Sequence, residues 1–321
     1  MGIKKPFFKV AFIGAGRMGE EHVKIFSKFK KKFLLSGILS KKNFSARKLA
    51  KKYKIKNVCN SINDLYLKTK ADLVVISVPV LETKKVCIQS FKYPWKFLIE
   101  KPVGYNLNEA KTIFKLAEKK KQLNNILVGL NRRNYLTTLK VLEELKNNYS
   151  KRFVQIYDQQ DLKNILVKKQ PTLVKKNWMF ANSIHLIDYF NILCRGKIVK
   201  IKNFHKIIKK KTNIITSQIE FSSGDIGQYN CIWSMPGPWA VNITSQSIRY
   251  EMKPLEILKF QKRGTTQLAN FNLDYKKDLG CKPGLANQVE QIYLFLSKKK
   301  NNLPKLKDSY ETMKLINRIY R

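Results

Sequence analysis

Two short stretches carry residues that could do chemistry together. Gly14-Ala15-Gly16-Arg17-Met18-Gly19 directly follows a β-rich apolar run, Phe7 to Ile13, and opens a helical pattern with Met18, Val23 and Phe26 on one face. In that strand–turn–helix setting the spacing suits the diphosphate of a dinucleotide. Gly14 permits the tight turn, Gly16 lets backbone approach the phosphates, and Gly19 lets helix and strand pack closely. The N–H groups and dipole of the helix start, at Arg17 and Met18, then face the anion. The second stretch is Leu98-Ile99-Glu100-Lys101-Pro102-Val103. A lysine is usually surface decoration. Lys101 instead ends an apolar strand and precedes a proline, on the edge where loops after parallel strands line a binding crevice. A cation there stabilises a developing alkoxide, and burial would lower its pKa enough to share proton transfer.

The elements that must position these residues alternate. After the glycine turn and its helix, Phe33 to Leu39 reads as a second strand, Ser45 to Tyr53 as a helix, Val58 as a short strand and Ile62 to Leu67 as a short helix. Ala71 to Ser77 is an unbroken apolar run, as a buried parallel strand requires. It delivers Val78-Pro79-Val80 to the cofactor edge. Glu82 to Phe91 is a helix and Phe97 to Glu100 the next strand; Asn106 to Glu109 opens a capped helix, and Asn125 to Leu130 is a sixth strand. This order predicts a doubly wound parallel sheet over residues 1–125, a Rossmann domain in an α/β chain. At the end of the second strand an NAD site would place a carboxylate for the ribose hydroxyls. Here Ser40 and Lys41 stand there, with no acidic residue between Glu21 and Asp64. NADP is therefore the preferred expectation, with NAD as the alternative.

Beyond residue 125 the alternation stops. Thr137 to Lys146 and Ser183 to Leu193 read as helices. Strand-like segments cover Phe153 to Asp158, Ile198 to Phe204, Ile214 to Phe221, Ile226 to Trp233, Ala240 to Ser245, Ile248 to Met252 and Ile257 to Phe260. Two amphipathic helices follow, one with Leu285, Val289, Ile292 and Leu296, the other with Leu306, Tyr310, Met313 and Ile316. Residues 126–321 are thus expected to form a second α/β domain with a large, mostly antiparallel sheet.

The totals exclude several classes. The formal net charge is +42, but lysine supplies nearly all of it in short runs scattered along the chain, with no basic arm. Arginine, the better reader of phosphates and bases, is scarce. That argues against a nucleic-acid protein, although anionic ligands gain at low salt. Five cysteines without a C-x-x-C argue against zinc or a disulfide framework, so no metal is expected and a reduced, cytoplasmic location fits. The longest apolar run, Leu73 to Leu81, is too short to span a bilayer.

With these residues in place the chain resembles the Gfo/Idh/MocA family of oxidoreductases. The resemblance rests on G-A-G-R-M-G with His22 three residues on, Glu100-Lys101-Pro102-Val103, Val128-Gly129-Leu130-Asn131-Arg132-Arg133-Asn134, and Ser183-Ile184-His185-Leu186-Ile187-Asp188. It implies that Lys101 lies at the nicotinamide, that Glu100 belongs to the cofactor edge, and that His185 is the acid/base group. A helix histidine can equally be a hydrogen-bonded core residue. It also implies a sugar, cyclitol or nucleotide-sugar substrate and a homo-oligomer, a dimer or tetramer, assembled through the second sheet. The chain departs from the family pattern at Ala181, where many relatives carry Asp four residues before the histidine. Asn182 could hydrogen-bond a sugar hydroxyl but cannot act as a base. Asp188, at i+3 from His185, could orient the ring or be structural. Trp178, with Trp233, Trp239 and Tyr135, could wall a sugar pocket or fill a core. Arg132 and Arg133 could clamp an anionic group or make domain ion pairs. A non-catalytic sensor that keeps the dinucleotide as ligand is the alternative function.

Overall fold

The computed structural model describes residues 7–161, 163, 170–207 and 213–321; the lysine runs at 168–169 and 209–211 lie outside the described residues. The chain divides into two compact units. One is Met1–Asn134 with Lys276–Tyr310, and the other is Tyr135–Tyr275 with Glu311–Arg321.

The first unit is built on six parallel strands: β1 (Phe8–Ile13), β2 (Phe33–Leu39), β3 (Asn57–Cys59), β4 (Leu73–Ile76), β5 (Lys96–Ile99) and β6 (Ile126–Val128), in the order β3-β2-β1-β4-β5-β6. Helices α1 (Arg17–Lys28), α2 (Asn43–Tyr53), α3 (Ile62–Thr69), α4 (Val80–Ser90) and α5 (Leu107–Lys119) make the crossovers. Strand order reverses between β1 and β4, the place where such sheets open a ligand crevice. Val10, Ala11 and Phe12 of β1 and Leu73 to Val75 of β4 are fully buried, as their apolar runs predict. Local signals set the helix starts. The Ser61 hydroxyl accepts from the Asp64 N–H at 3.0 Å, and Asn106 Oδ1 accepts from the Glu109 N–H at 2.9 Å. Glu109 Oε2 reaches back to the Tyr105 N–H at 3.2 Å, one residue before the cap, so the start expected at Asn106 is a capped one with the carboxylate on the preceding N–H.

The domain boundary expected at 125/126 needs correction. It would cut β6 from β5, with which it pairs from Phe97↔Ile126 to Ile99↔Val128. The first unit runs on to Asn134 and also takes in the helix Leu285–Leu296. That helix was expected in the second domain. Its apolar stripe, Leu285, Val289 and Ile292, instead packs in one core with Val10, Phe12, Val23 and Phe26. Hydrophobic burial assigns it to the first sheet despite its distance in sequence.

The second unit holds an eight-stranded sheet in the order β14-β13-β12-β11-β7-β10-β9-β8. Its strands are β7 (Phe153–Gln160), β8 (Ile198–Ile207), β9 (Asn213–Phe221), β10 (Ile226–Trp233), β11 (Trp239–Thr244), β12 (Ile248–Met252), β13 (Leu258–Lys262) and β14 (Ala269–Asn270). All pairs are antiparallel except β7 with β10. The short β14 gave no pattern in the sequence. Alternation along β7 turns Val154, Ile156, Asp158 and Gln160 to the buried side. The helix Ile184–Leu193 packs against β7 and β11.

Candidate active site

Strand register brings the first set of residues to one edge. Leu39, Ile13, Ile76, Ile99 and Val128 are successive Cα partners across β2, β1, β4, β5 and β6. The residues one step beyond them are Ser40, Gly14, Ser77, Glu100 and Gly129. Their backbones stay in line: the Gly14 N–H donates to Leu39, Ser77 to Ile13, Glu100 to Ile76 and Gly129 to Ile99, each at 2.8–2.9 Å. Gly14 has φ +109°, and a Cβ there would run into the Ser77 carbonyl; a Cβ on Gly19 would strike the Gly14 carbonyl. Gly16 differs. A Cβ on it would meet no atom within 4 Å, so the space before the helix start is open. That open backbone, with the N–H groups of α1 behind it, fits a diphosphate.

A cleft at this edge is lined by Arg17, Met18, Val78, Glu100, Lys101 and Lys282 among others. Pro79 caps α4 beside it and is exposed. Ser40 is half-buried at the end of β2, and Lys41 is exposed next to it. His22, fully buried one turn into α1, lies 2.6 Å from Glu100 through Nε2. Burial alone would raise the Glu100 carboxyl, but the hydrogen bond and charge of His22, with Lys101 and Lys282 nearby, hold it below the usual carboxylate range. Gly129 makes room for that carboxyl: a Cβ there would sit 2.8 Å from Glu100 Oε1. The edge is therefore a supported carboxylate ringed by cations. Lys101, joined to Pro102 by a cis peptide bond, stands at its end.

Other candidates lie in the second unit. His185 is 5% exposed in the first turn of its helix, and its N–H donates to the Asn182 carbonyl at 3.2 Å. Asp188 is buried and accepts from the Thr312 hydroxyl at 2.8 Å. Asn182 is half-buried, and its amide donates to Gln160 Oε1 at 2.9 Å. Trp178, 7% exposed, donates to the same oxygen at 3.0 Å. Gln160 Nε2 donates in turn to Asp158 Oδ1, and the Tyr229 hydroxyl to Asp158 Oδ2 at 2.7 Å. Tyr320 bonds Tyr229 at 2.9 Å and Ser183 at 3.3 Å. Burial, and then Asp158, push the Tyr229 hydroxyl well above its ordinary pKa; burial acts first on Tyr320 too. Trp239 is anchored on the Gln159 carbonyl at 2.8 Å, and Tyr135 is buried. Arg132 sits half-buried in the turn Asn131–Asn134 of the first unit.

Comparison with known proteins agrees with this geometry. A family model described as an oxidoreductase family with an NAD-binding Rossmann fold, Gfo/Idh/MocA, matches residues 8–129. No curated protein matches the chain in sequence. Solved structures share its fold over nearly the whole length. UDP-N-acetylglucosamine 3-dehydrogenase from Acidithiobacillus ferrooxidans is 13% identical, covering 98% of this chain and 96% of its own, with a TM-score of 0.76. A dehydrogenase from Chromobacterium violaceum is 14% identical over 99% and 95%, with a TM-score of 0.82. Levoglucosan dehydrogenase, in complex with NADH and L-sorbose, is 14% identical over 98% and 96%, with a TM-score of 0.78.

Three polar residues, Lys282, Asp158 and Gln160, had no assigned place in the sequence reading. Glu100 was a cofactor candidate, but its pairing with the buried His22 was not foreseen. Lys282 belongs to the Lys101 cleft although it is remote in sequence. Asp158 and Gln160 anchor Asn182 and Trp178. The sequence signal for the last pair was the strand period of β7, which sets two polar residues in an inward row otherwise filled by Val154 and Ile156.

Proposed function

We propose that the chain is an NAD(P)-dependent dehydrogenase or reductase that moves hydride between the nicotinamide and a secondary alcohol or carbonyl of a sugar, cyclitol or nucleotide sugar. The observation that carries this reading is Lys101 at the end of β5, in one cleft with Arg17, Val78 and the His22-supported Glu100. The dinucleotide supplies the hydride acceptor or donor. Gly14, Gly16 and Gly19 leave room for its diphosphate at Arg17 and Met18, and Ser40 and Lys41 leave the ribose end free of carboxylates, which favours NADP. Val78 and Pro79 border the nicotinamide. Lys101 stabilises the alkoxide, and His185 takes the hydroxyl proton. Arg132, Asn182 and Trp178 orient the substrate. No helix among the described residues is long and apolar enough to cross a membrane. The five free thiols support a reducing, cytoplasmic setting, and the exposed Phe153, Val199 and Phe204 on the second sheet support a homo-oligomer.

The test is single-turnover reduction of NADP and NAD with a panel of sugars, cyclitols and nucleotide sugars. Lys101→Ala and His185→Ala should each lower the rate of the active pair by about 10²–10⁴-fold. Full activity in both variants would show the site to be misplaced. Dinucleotide binding without turnover on any substrate would favour the sensor.

A further inference from the structure

We infer that Lys282 is a diphosphate-binding residue: with a dinucleotide seated on the glycine turn, as proposed above, its ammonium meets the diphosphate at the start of α1. The loop that carries it is held in place before any ligand arrives. Lys28 Nζ donates to the Leu279 carbonyl at 2.8 Å, and Gly284 N–H donates to Asp278 Oδ1 at 3.2 Å. The Asn131 amide, 3% exposed, donates to the Pro283 carbonyl at 3.1 Å. These bonds fix the residues on both sides of Lys282.

The ammonium itself is poorly served. Its hydrogen bond among the described residues is to Met18 Sδ, at 3.4 Å, in the first turn of α1. A thioether is a weak acceptor. Burial lowers the amine's pKa, Glu100 and more weakly Glu21 oppose the shift, and Arg132 and Arg17 add to it. Glu100 Oε1 is already engaged by His22. Around Glu100 the cleft lining therefore sets Arg17, Lys101 and Lys282 against a single carboxylate. A partly desolvated ammonium beside other cations at a helix N-terminus is stabilised by an anion with several acceptor oxygens. Lys282 also lines a second cleft, of about 450 Å³, that shares Arg17 and Met18 with the first and adds Glu21 and Lys24, one charge of each sign. It thus stands at the glycine-turn helix and not out along β2, where Ser40 and Lys41 lie.

The experiment is fluorescence titration of NADPH and NADH into the wild-type chain, Lys282→Ala and Lys282→Arg at several salt concentrations, with inorganic diphosphate as competitor. Lys282→Ala should weaken both dinucleotides by about tenfold or more, flatten the salt dependence and blunt competition by diphosphate. Lys282→Arg should restore most of the affinity. Equal thermal midpoints for the three proteins establish that the fold is kept. Unchanged affinity for both dinucleotides in Lys282→Ala would overturn the assignment, and so would a loss confined to NADPH, which would put the ammonium at the 2′-phosphate. A wild-type chain that binds neither dinucleotide would overturn the dinucleotide reading itself. Tight wild-type binding with an indifferent Lys282→Ala would overturn the lysine's role alone.

Discussion

Around Glu100 positive charges outnumber negative ones, whereas around Asp158 hydrogen bonds converge on one buried carboxylate. The first cluster brings Arg17, Lys101 and Lys282 to a cleft where one carboxylate is tied to His22. On the function proposed above, the excess of cations over carboxylates in that lining serves an anionic ligand. The second cluster has little left over. Gln160 and Tyr229 donate to Asp158, and Trp178 and Asn182 donate to Gln160. A network satisfied in this way rigidifies its members. The difference teaches that one region is arranged to receive an anion and the other to hold neutral polar side chains in fixed orientations.

The largest effect on that contrast should come from Glu100→Ala. It leaves His22, 1% exposed, without its partner beside three cations. Breaking such a buried pair is expected to destabilise by about 3 kcal/mol, read as a lower urea midpoint. The acid limb gives a second reading. Because the folded Glu100 carboxyl is held below its usual 4.5, its contribution is complete above that pH and is lost as pH falls through the lowered value. Glu100→Gln should therefore flatten the loss of stability below pH 4.5. An unchanged acid limb would break the idea that this carboxylate is supported by charge.

Asp158→Asn comes next. The amide can accept from Gln160 and turn its NH₂ to the Tyr229 oxygen, which then has to donate to Tyr320. Replacing a charge-assisted bond by a neutral one in this way is expected to reduce stability by about 1 kcal/mol. The affinity for NADPH should not change, since Asp158 bonds Gln160 and Tyr229 and does not line the cleft of Glu100 and Lys101. A dinucleotide affinity that fell with this variant would contradict the assignment of different roles to the two clusters.

The same contrast explains what could be read from the sequence. The first region is written in contiguous motifs because backbone geometry demands them. Gly14 needs a positive φ, Gly19 lies against a carbonyl, and Glu100 and Lys101 follow their strand directly. The parallel sheet and the edge where its motifs meet were legible for that reason. Lys282 was not, because a loop remote in sequence carries it to α1, and lysines are too common in this chain to stand out. The second region is assembled from single residues on separate segments: Asp158 and Gln160 on β7, Trp178 to Ser183, Tyr229 on β10, and Tyr320 near the end. No local spacing joins them. Even the inward parity of β7 is ambiguous when Phe153, Gln155 and Tyr157 alternate with Val154, Ile156 and Asp158. The domain boundary failed for a similar reason: an amphipathic stripe shows that Leu285–Leu296 is buried, not against which sheet.

The smallest predicted effect tests the second region most closely. Gln160 turns its Nε2 to Asp158, so its Oε1 faces both Trp178 Nε1 and Asn182 Nδ2. That orientation commits the Asn182 amide nitrogen to Gln160, so on the proposed function its Oδ1 would be the atom that accepts from a substrate hydroxyl. Asn182→Ala removes one donor from an oxygen that Trp178 still serves, and should lower stability by about 0.5 kcal/mol. Asn182→Asp sets a carboxylate against the Gln160 oxygen. It should cost about 1 kcal/mol, limited because the half-buried side chain can turn to water. Restoring an acidic residue one position from Ala181 is therefore expected to be worse for the fold than deleting the side chain. If Asn182→Asp proved the more stable of the two in urea, Gln160 would have to present its nitrogen to position 182, and the chain of donors ending on Asp158 would run the other way.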